Sequence, residues 1–171
     1  MASETKPTVL IVPGGWHVPI HYDPLTNILS SHGFPCVALM LPTVGASPPG
    51  KDLYDDIAYI SSQLEELVEK GGKEVIVIVH SYGGIPGTSA ARPFVRKDRA
   101  QQGKNGGVIG VLYISSWGMP PGKTTMEAVE GLNIDWMKID VSPPRSFRVI
   151  CCLIRLGSNQ LPFRCRPYLL Q

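Results

Sequence analysis

Residues 74–84 read EVIVIVHSYGG, and this stretch decides the fold. Its unbroken run of β-branched residues, bounded by Gly72 and Gly83, is typical of a strand that is covered on both faces, as in a parallel sheet. The strand leads directly into a sharp turn with Ser81 at its apex. Gly83 and Gly84 allow the backbone on either side of that turn to approach closely. The stretch therefore predicts a buried strand that presents one serine at its carboxyl end.

Strands and helices alternate on both sides of this stretch. Further β-branched runs predict strands at Thr8–Val12, Pro35–Leu41 and Gly107–Ser115. Helical spacing of apolar residues predicts a helix from Leu53 to Val68, and another is expected after Asp23-Pro24, with Asp23 as the cap. A further helix is expected from about Tyr82 into Arg92–Arg99, with a length that Pro86 and Pro93 leave open. Because strands that alternate with helices form parallel sheets, we expect an α/β fold with about four parallel strands and flanking helices.

The composition is that of an ordinary globular protein, and it excludes several partners. The chain has 171 residues and a formal net charge of +2, which argues against a nucleic-acid partner. No apolar run approaches the roughly 18 residues that a membrane span needs, so no membrane partner is expected. The polar residues 1–7 lead straight into the first strand, and we therefore expect a cytoplasmic location.

The average charge conceals two different regions. Residues 1–140 carry 11 basic and 14 acidic side chains, whereas residues 141–171 carry five arginines and no acid. Three of the four cysteines also lie in the second region, at a spacing that matches no zinc site, and we expect them to be reduced thiols. We therefore expect residues 1–140 to form the N-terminal part of a domain. Residues 141–171 are interpreted as an atypical basic Cys/Arg tail, non-homologous or disordered, that an alternative transcript has introduced.

No cofactor is expected. The segment Gly71-Gly72-Lys73 lacks the preceding glycine spacing of a phosphate-binding loop. Gly83, Gly84 and Gly87 resemble a dinucleotide fingerprint only loosely, and the turn around Ser81 already explains them.

Four motifs together resemble the α/β-hydrolase superfamily. They are VLIVPGGWH at 9–17, YDPL at 22–25, LP at 41–42 and VHSYGG at 79–84. The order is similar to that in cofactor-independent serine esterases related to plant methylesterases and hydroxynitrile lyases. The resemblance extends from Thr8 to Gly122 and into a lid-like segment that ends at Asp140, and it implies an incomplete α/β-hydrolase fold with the start of a helical lid.

The resemblance assigns roles to residues on two loops. Ser81 matches the nucleophile of the family's strand-to-helix turn, and the backbone N–H of Tyr82 matches one donor of the oxyanion hole. The second donor is the N–H of Gly15 or Trp16. Val79 stands where the family has glycine, and we expect the following helix to pack less closely there. Two alternatives stay open: Ser81 is only a helix cap, and the glycines after the first strand form only a tight turn.

Four histidines occur, and all precede Ser81. His17 and His21, with Trp16, are expected to line the mouth of a pocket, and His80 is expected beside it, although lone histidines are more often structural. Residue His80 is adjacent to Ser81 and therefore poorly directed to act as its base. In the family the acid and the histidine of the triad follow the serine.

The resemblance therefore implies a serine hydrolase of small ester or lactone-type carbonyl substrates whose catalytic set is incomplete in this chain. Two further interpretations remain. One is a non-catalytic ligand-binding or vestigial product of the same gene, since fold alone does not determine function. The other, ranked last, is an interaction module that acts through the basic tail. We also expect self-association through an exposed sheet edge at Val108–Ser115, because open edges pair with other chains.

Overall fold

The computed structural model describes residues 6–45 and 50–118, which lie in one compact unit. The strands are β1 (Thr8–Val12), β2 (Cys36–Ala38), β3 (Glu74–His80) and β4 (Gly107–Ile114), and all pairs are parallel in the order β2-β1-β3-β4. The helices are α1 (Asp23–Ser31), α2 (Leu53–Leu64), α3 (Gly84–Ala91) and α4 (Arg96–Gln101). The predicted fold class is confirmed. The predicted lid and the 141–171 tail lie outside the described residues.

Short turns of other helix types connect these elements. Tight 3-10 turns occupy Pro19–Tyr22, Ser81–Gly83 and Arg92–Phe94, and a wider π-helical segment, Glu65–Lys70, continues α2. No helix within the described ranges is both long enough and apolar enough to cross a lipid bilayer.

Three boundaries differ from the sequence prediction. β2 has three residues instead of the seven from Pro35 to Leu41. The single helix expected after Tyr82 is divided near Pro93, because proline lacks an N–H and its ring clashes with the preceding turn. Tyr22 occupies the N-cap position of α1, and Asp23, the predicted cap, is instead its first helical residue.

The sheet separates two apolar layers. On one face, side chains of β1 and β3 pack with those of α2 and α3 in a fully buried core; its members include Leu10, Val12, Ile60, Leu64, Val75, Val77 and Val79. On the other face, Val9, Ile11 and Ile78 are buried beneath α1 and its neighbouring loops. Because successive residues of a strand point to opposite faces, burial on both sides requires the unbroken apolar run of 75–79.

β4 pairs with β3 only, and in the described part of the chain it forms the edge of the sheet. A bulge at Ile109 shifts the register, so that Val75 pairs with Val108 and Ile76 with Gly110. Beyond the bulge, Leu112 is 52% exposed, in contrast to its register partner Ile78 at 5%. The apolar side chains of β4 therefore face solvent over much of their surface.

Candidate active site

The candidate site lies at the carboxyl ends of β1, β3 and β4. In a parallel sheet these ends share one edge, where ligands of open α/β sheets bind. A Cβ built on Gly14, after β1, would lie 2.9 Å from His80 Nδ1 and 3.1 Å from Ser81 Cβ. The loop after β1 and the turn after β3 are therefore in direct contact, and glycine is required at that contact.

Ser81 has a strained backbone. Its φ of 50° lies in the left-handed region, which costs a residue with a side chain about 1 kcal/mol or more. Gly83 makes the turn possible, because an added Cβ there would lie 2.5 Å from the Pro13 carbonyl oxygen. Strained residues concentrate at functional sites, where the surrounding structure holds them. The turn therefore presents the serine as a sharp apex between β3 and α3.

Val79 occupies the position where the family has glycine, and it is fully buried. The space for the Val79 side chain is supplied by α3, which packs against β3. A Cβ on Gly87 of α3 would lie 2.7 Å from Val79 Cγ1 and 3.4 Å from Val12 Cγ2. The absence of a side chain at Gly87 thus lets α3 approach β3 closely at Val79.

The loop after β1 brings backbone donors toward Ser81. An added Cβ on Gly15 would lie 3.8 Å from Tyr82 Cβ, so the loop and the residue after the serine are neighbours. Trp16 has a φ of 62° and is 69% exposed. Among the hydrogen bonds of residues 6–45 and 50–118, none uses the N–H of Gly15 or Trp16. Both N–H groups are therefore without an intramolecular acceptor among these described residues.

A cavity of about 450 Å³ opens beside this loop. Its lining residues are His17, His21, Tyr22, Leu25, His80 and Ile114. The ring centroid of His17 lies 4.8 Å from that of His80 and 5.3 Å from that of His21, in edge-to-face arrangements. Three imidazoles and one phenol thus meet in one cavity; Trp16, which was expected at its mouth, is not among the lining side chains.

Hydrogen bonds determine which ring nitrogen of His17 and of His21 carries the proton when the ring is neutral. His17 Nδ1 lies 2.9 Å from the Gly15 carbonyl oxygen, so this nitrogen carries the proton and Nε2 is left as an acceptor. His21 Nδ1 accepts from the Val18 N–H, at 3.3 Å, so its proton lies on Nε2. A ligand in the cavity therefore meets one acceptor and one donor from these two rings.

Tyr22 is hydrogen-bonded both to His80 and to the loop after β1. The Gly14 N–H donates to the Tyr22 hydroxyl at 3.0 Å, and that hydroxyl lies 2.9 Å from His80 Nδ1. Burial, and then the charge of neighbouring His17, lowers the pKa of His80, while burial raises the pKa of Tyr22. If the Tyr22 hydroxyl donates to a neutral His80, the His80 proton lies on Nε2 and remains available.

Sequence reasoning missed a buried carboxylate behind the turn. Asp56 of α2 is fully buried; its Oδ1 accepts from the Thr43 N–H at 3.1 Å, and its Oδ2 accepts from the hydroxyls of Thr43 and Tyr82, each at 2.8 Å. Burial and the Asp56 hydrogen bond raise the pKa of Tyr82. A sequence signal existed, because Asp56 precedes Ile60 and Leu64 at spacings of four and lies on the same buried stripe of α2.

A second missed contact comes from the residues after β4. The Ser116 hydroxyl donates to the Ser81 carbonyl oxygen at 2.6 Å. Gly84 makes room for it, because an added Cβ there would lie 2.1 Å from Ser116 Oγ. No sequence pattern described above assigns Ser116 a role.

The site combines a half-buried serine at a strained turn with backbone N–H groups and a pocket that contains polar side chains. In the part of the chain that the structure describes, no group of three His, Cys, Asp or Glu side chains is placed to hold a metal ion. The elements that would position a ligand are thus one strained turn, one glycine loop and the neighbouring pocket, which His17 and His80 line and Ser81 does not.

Comparison with known proteins identifies the family. A family model described as the alpha/beta hydrolase family matches residues 9–157. The chain is 30% identical over 125 residues to the alpha/beta hydrolase nvfD of Aspergillus novofumigatus, and the match covers 73% of the chain and 49% of that protein. It is 33% identical over 129 residues to the probable hydrolase R7 of a Phoma species, covering 74% of the chain and 49% of that protein. The chain therefore spans about half the length of these curated relatives.

Proposed function

The chain belongs to the alpha/beta hydrolase family, and we propose that it is by descent a serine hydrolase of small ester or lactone-type carbonyl substrates. The observation that carries this proposal is Ser81 itself, held at a φ of 50° between β3 and α3 and beside the Gly15 loop. A sharp strand-to-helix turn of this kind exposes a nucleophilic hydroxyl in the family.

In the proposed reaction the Ser81 hydroxyl oxygen bonds to the substrate carbonyl carbon and loses its proton to a base. The carbonyl oxygen becomes an oxyanion, which accepts hydrogen bonds from the Tyr82 N–H and from the N–H of Gly15 or Trp16. A fixed donor of this kind stabilises the transition state by about 3 kcal/mol. Collapse of the tetrahedral intermediate expels the alcohol, and water then releases the acid by the same steps.

We propose further that these 171 residues are catalytically incomplete, because no histidine follows Ser81. The three histidines at the cavity precede it, and their Nδ1 atoms bond to Gly15, Val18 and Tyr22. Loss of one triad member lowers turnover by roughly 10⁴ to 10⁶. We expect hydrolysis of a generic aryl ester to be slower by that order than in complete family members.

The test is covalent labelling of Ser81 with a fluorophosphonate, located by mass spectrometry. We expect labelling over hours, and none in Ser81→Ala, because an unassisted hydroxyl stays protonated. Ser89→Ala is the matched control, since Ser89 is an exposed serine of α3. Labelling within seconds would contradict incompleteness, and its loss in His17→Gln would identify His17 Nε2 as the base. Labelling that persists in Ser81→Ala would overturn the nucleophile assignment.

The second candidate function is non-catalytic binding of a small carbonyl ligand, and the cavity favours it. Its imidazoles and phenol are all contributed by residues 17–80, and none of them depends on a base after Ser81. Titration of the histidine ring signals by NMR with a short aliphatic ester tests this function. Saturable shifts of His17 and His21, without hydrolysis, would support binding; signals that do not move would contradict it.

Self-association through β4 and a cytoplasmic location complete the proposal. In the described ranges β4 is an edge strand with Leu112 52% and Ile114 40% exposed, which favours pairing with a second chain. We expect light scattering to detect oligomers and Leu112→Lys to shift them toward the monomer. Oligomers that are unchanged in Leu112→Lys would contradict pairing through this edge.

The cytoplasmic location stays a prediction, which fractionation of expressing cells tests.

A further inference from the structure

The Ser81–Tyr82 peptide is held at its carbonyl. The Ser116 hydroxyl donates to the Ser81 oxygen at 2.6 Å, in space that Gly84 leaves open. In a trans peptide the C=O and the following N–H point in opposite directions. A hydrogen bond that fixes the carbonyl therefore also fixes the direction of the Tyr82 N–H, which is the oxyanion donor of the proposed function.

The same peptide is held a second time through the Tyr82 side chain. Its hydroxyl donates to Asp56 Oδ2 at 2.8 Å, and Asp56 is anchored in turn by the Thr43 N–H and hydroxyl. The ring thus connects the residue after the serine to α2. The Ser81 carbonyl oxygen accepts from the Gly84 N–H as well as from the Ser116 hydroxyl, so the peptide is restrained at its carbonyl and through the Tyr82 side chain.

The Asp56 contact is costly if it serves stability alone. The carboxylate is fully buried, and the five ion pairs of the described residues do not include it. A buried carboxylate loses its hydration and depends on hydrogen-bond donors in exchange, and here Thr43 and Tyr82 supply them. The hydroxyl–carboxylate contact has a defined direction, which apolar packing cannot supply.

We propose that Ser116 and Asp56 are positioning residues, which act from the carbonyl side and through the Tyr82 hydroxyl to aim the Tyr82 N–H at the oxyanion site. This inference rests on the proposed function for the role of that N–H. Neither residue touches the substrate, and both act through the Ser81–Tyr82 peptide.

The test measures the direction of the N–H bond separately from reactivity. The residual dipolar coupling of the Tyr82 amide reports that direction in the folded full chain. We expect it to change in Ser116→Ala, Asp56→Asn and Tyr82→Phe, and to return to the wild-type value in Ser116→Thr, which keeps the hydroxyl. The controls Ser89→Ala and Tyr54→Phe remove exposed hydroxyls and should leave it unchanged.

Labelling of Ser81 by a fluorophosphonate supplies the second measurement. Loss of a complete oxyanion donor costs roughly 10²- to 10³-fold, so a misdirected donor should slow labelling about tenfold in Ser116→Ala, with recovery in Ser116→Thr. Asp56→Asn and Tyr82→Phe should each slow labelling about threefold. Their double variant should slow it no further, because both substitutions act on the same hydrogen bond between Tyr82 and Asp56.

The outcomes separate the two proposals. Unlabelled wild-type chain would contradict the expected slow reactivity of Ser81, and a changed Tyr82 coupling in the variants would still support the positioning. Labelling and coupling that are both unchanged in Ser116→Ala and Asp56→Asn would overturn the positioning and leave the nucleophile assignment intact.

Discussion

β3 and β4 are neighbouring strands with similar apolar sequences, yet their surroundings differ. β3 has a strand on each side and helices over both faces, and Val75, Val77 and Val79 are fully buried. β4 pairs on one side in the described ranges, and Ile109 and Leu112 are 45% and 52% exposed. Similar β-branched composition therefore leads to different burial, because burial depends on which neighbours a strand has rather than on the strand itself.

The largest expected difference between the strands is in the unfolding free energy lost when Ile78 or its register partner Leu112 is truncated. Ile78→Ala should lower the free energy of unfolding by about 2–4 kcal/mol, because it leaves a cavity in a packed layer. Leu112→Ala should cost below about 1 kcal/mol, since half of that side chain already contacts water. Urea unfolding of both variants measures the two values. Equal losses would show that β4 is buried in solution.

A smaller difference in unfolding free energy is expected when alanine replaces a glycine that packs against β3 or a glycine within β4. Gly87→Ala should lose about 1–3 kcal/mol, because its Cβ would lie 2.7 Å from Val79 Cγ1. Val79→Ala in the same chain should recover part of this loss. Gly110→Ala is the matched control, with no atom within 4 Å of its Cβ, and it should be neutral or slightly stabilising. Unfolding by urea tests this cycle, and a neutral Gly87→Ala would contradict the contact.

The smallest expected effect is a change in the pH dependence of the unfolding free energy, at the last register pair, His80 and Ile114. Burial lowers the pKa of His80 from its ordinary value of 6.5, so below that pH the unfolded chain binds more protons than the folded chain. The His80 contribution is therefore complete above about pH 6.5 and is lost as the pH falls through the lowered pKa. His80→Gln should flatten the dependence of the unfolding free energy on pH, whereas Ile114→Val should retain it. A slope that is identical in His80→Gln and the wild type would contradict this assignment.

Much of the fold was predictable because its signals are local. The apolar run 75–79 requires a strand covered on both faces, and helical spacing from Leu53 to Val68 identifies α2 and its continuation. The predicted length of β2 was wrong, since pairing with β1 involves only three of its residues. The helix expected after Tyr82, whose length Pro86 and Pro93 left open, is interrupted at Pro93.

The sequence by itself determined the parallel sheet, the serine at a strained turn and the glycines that permit that turn, because these depend on the periodicity and φ preferences of adjacent residues. Only the tertiary structure decided the contacts that surround the serine. Tyr82 meets Asp56 across 26 positions, Ser116 meets Ser81 across 35, and Tyr22 meets His80 across 58. Parallel strands bring their carboxyl ends to one edge, and local periodicity carries no information about which distant side chains meet there.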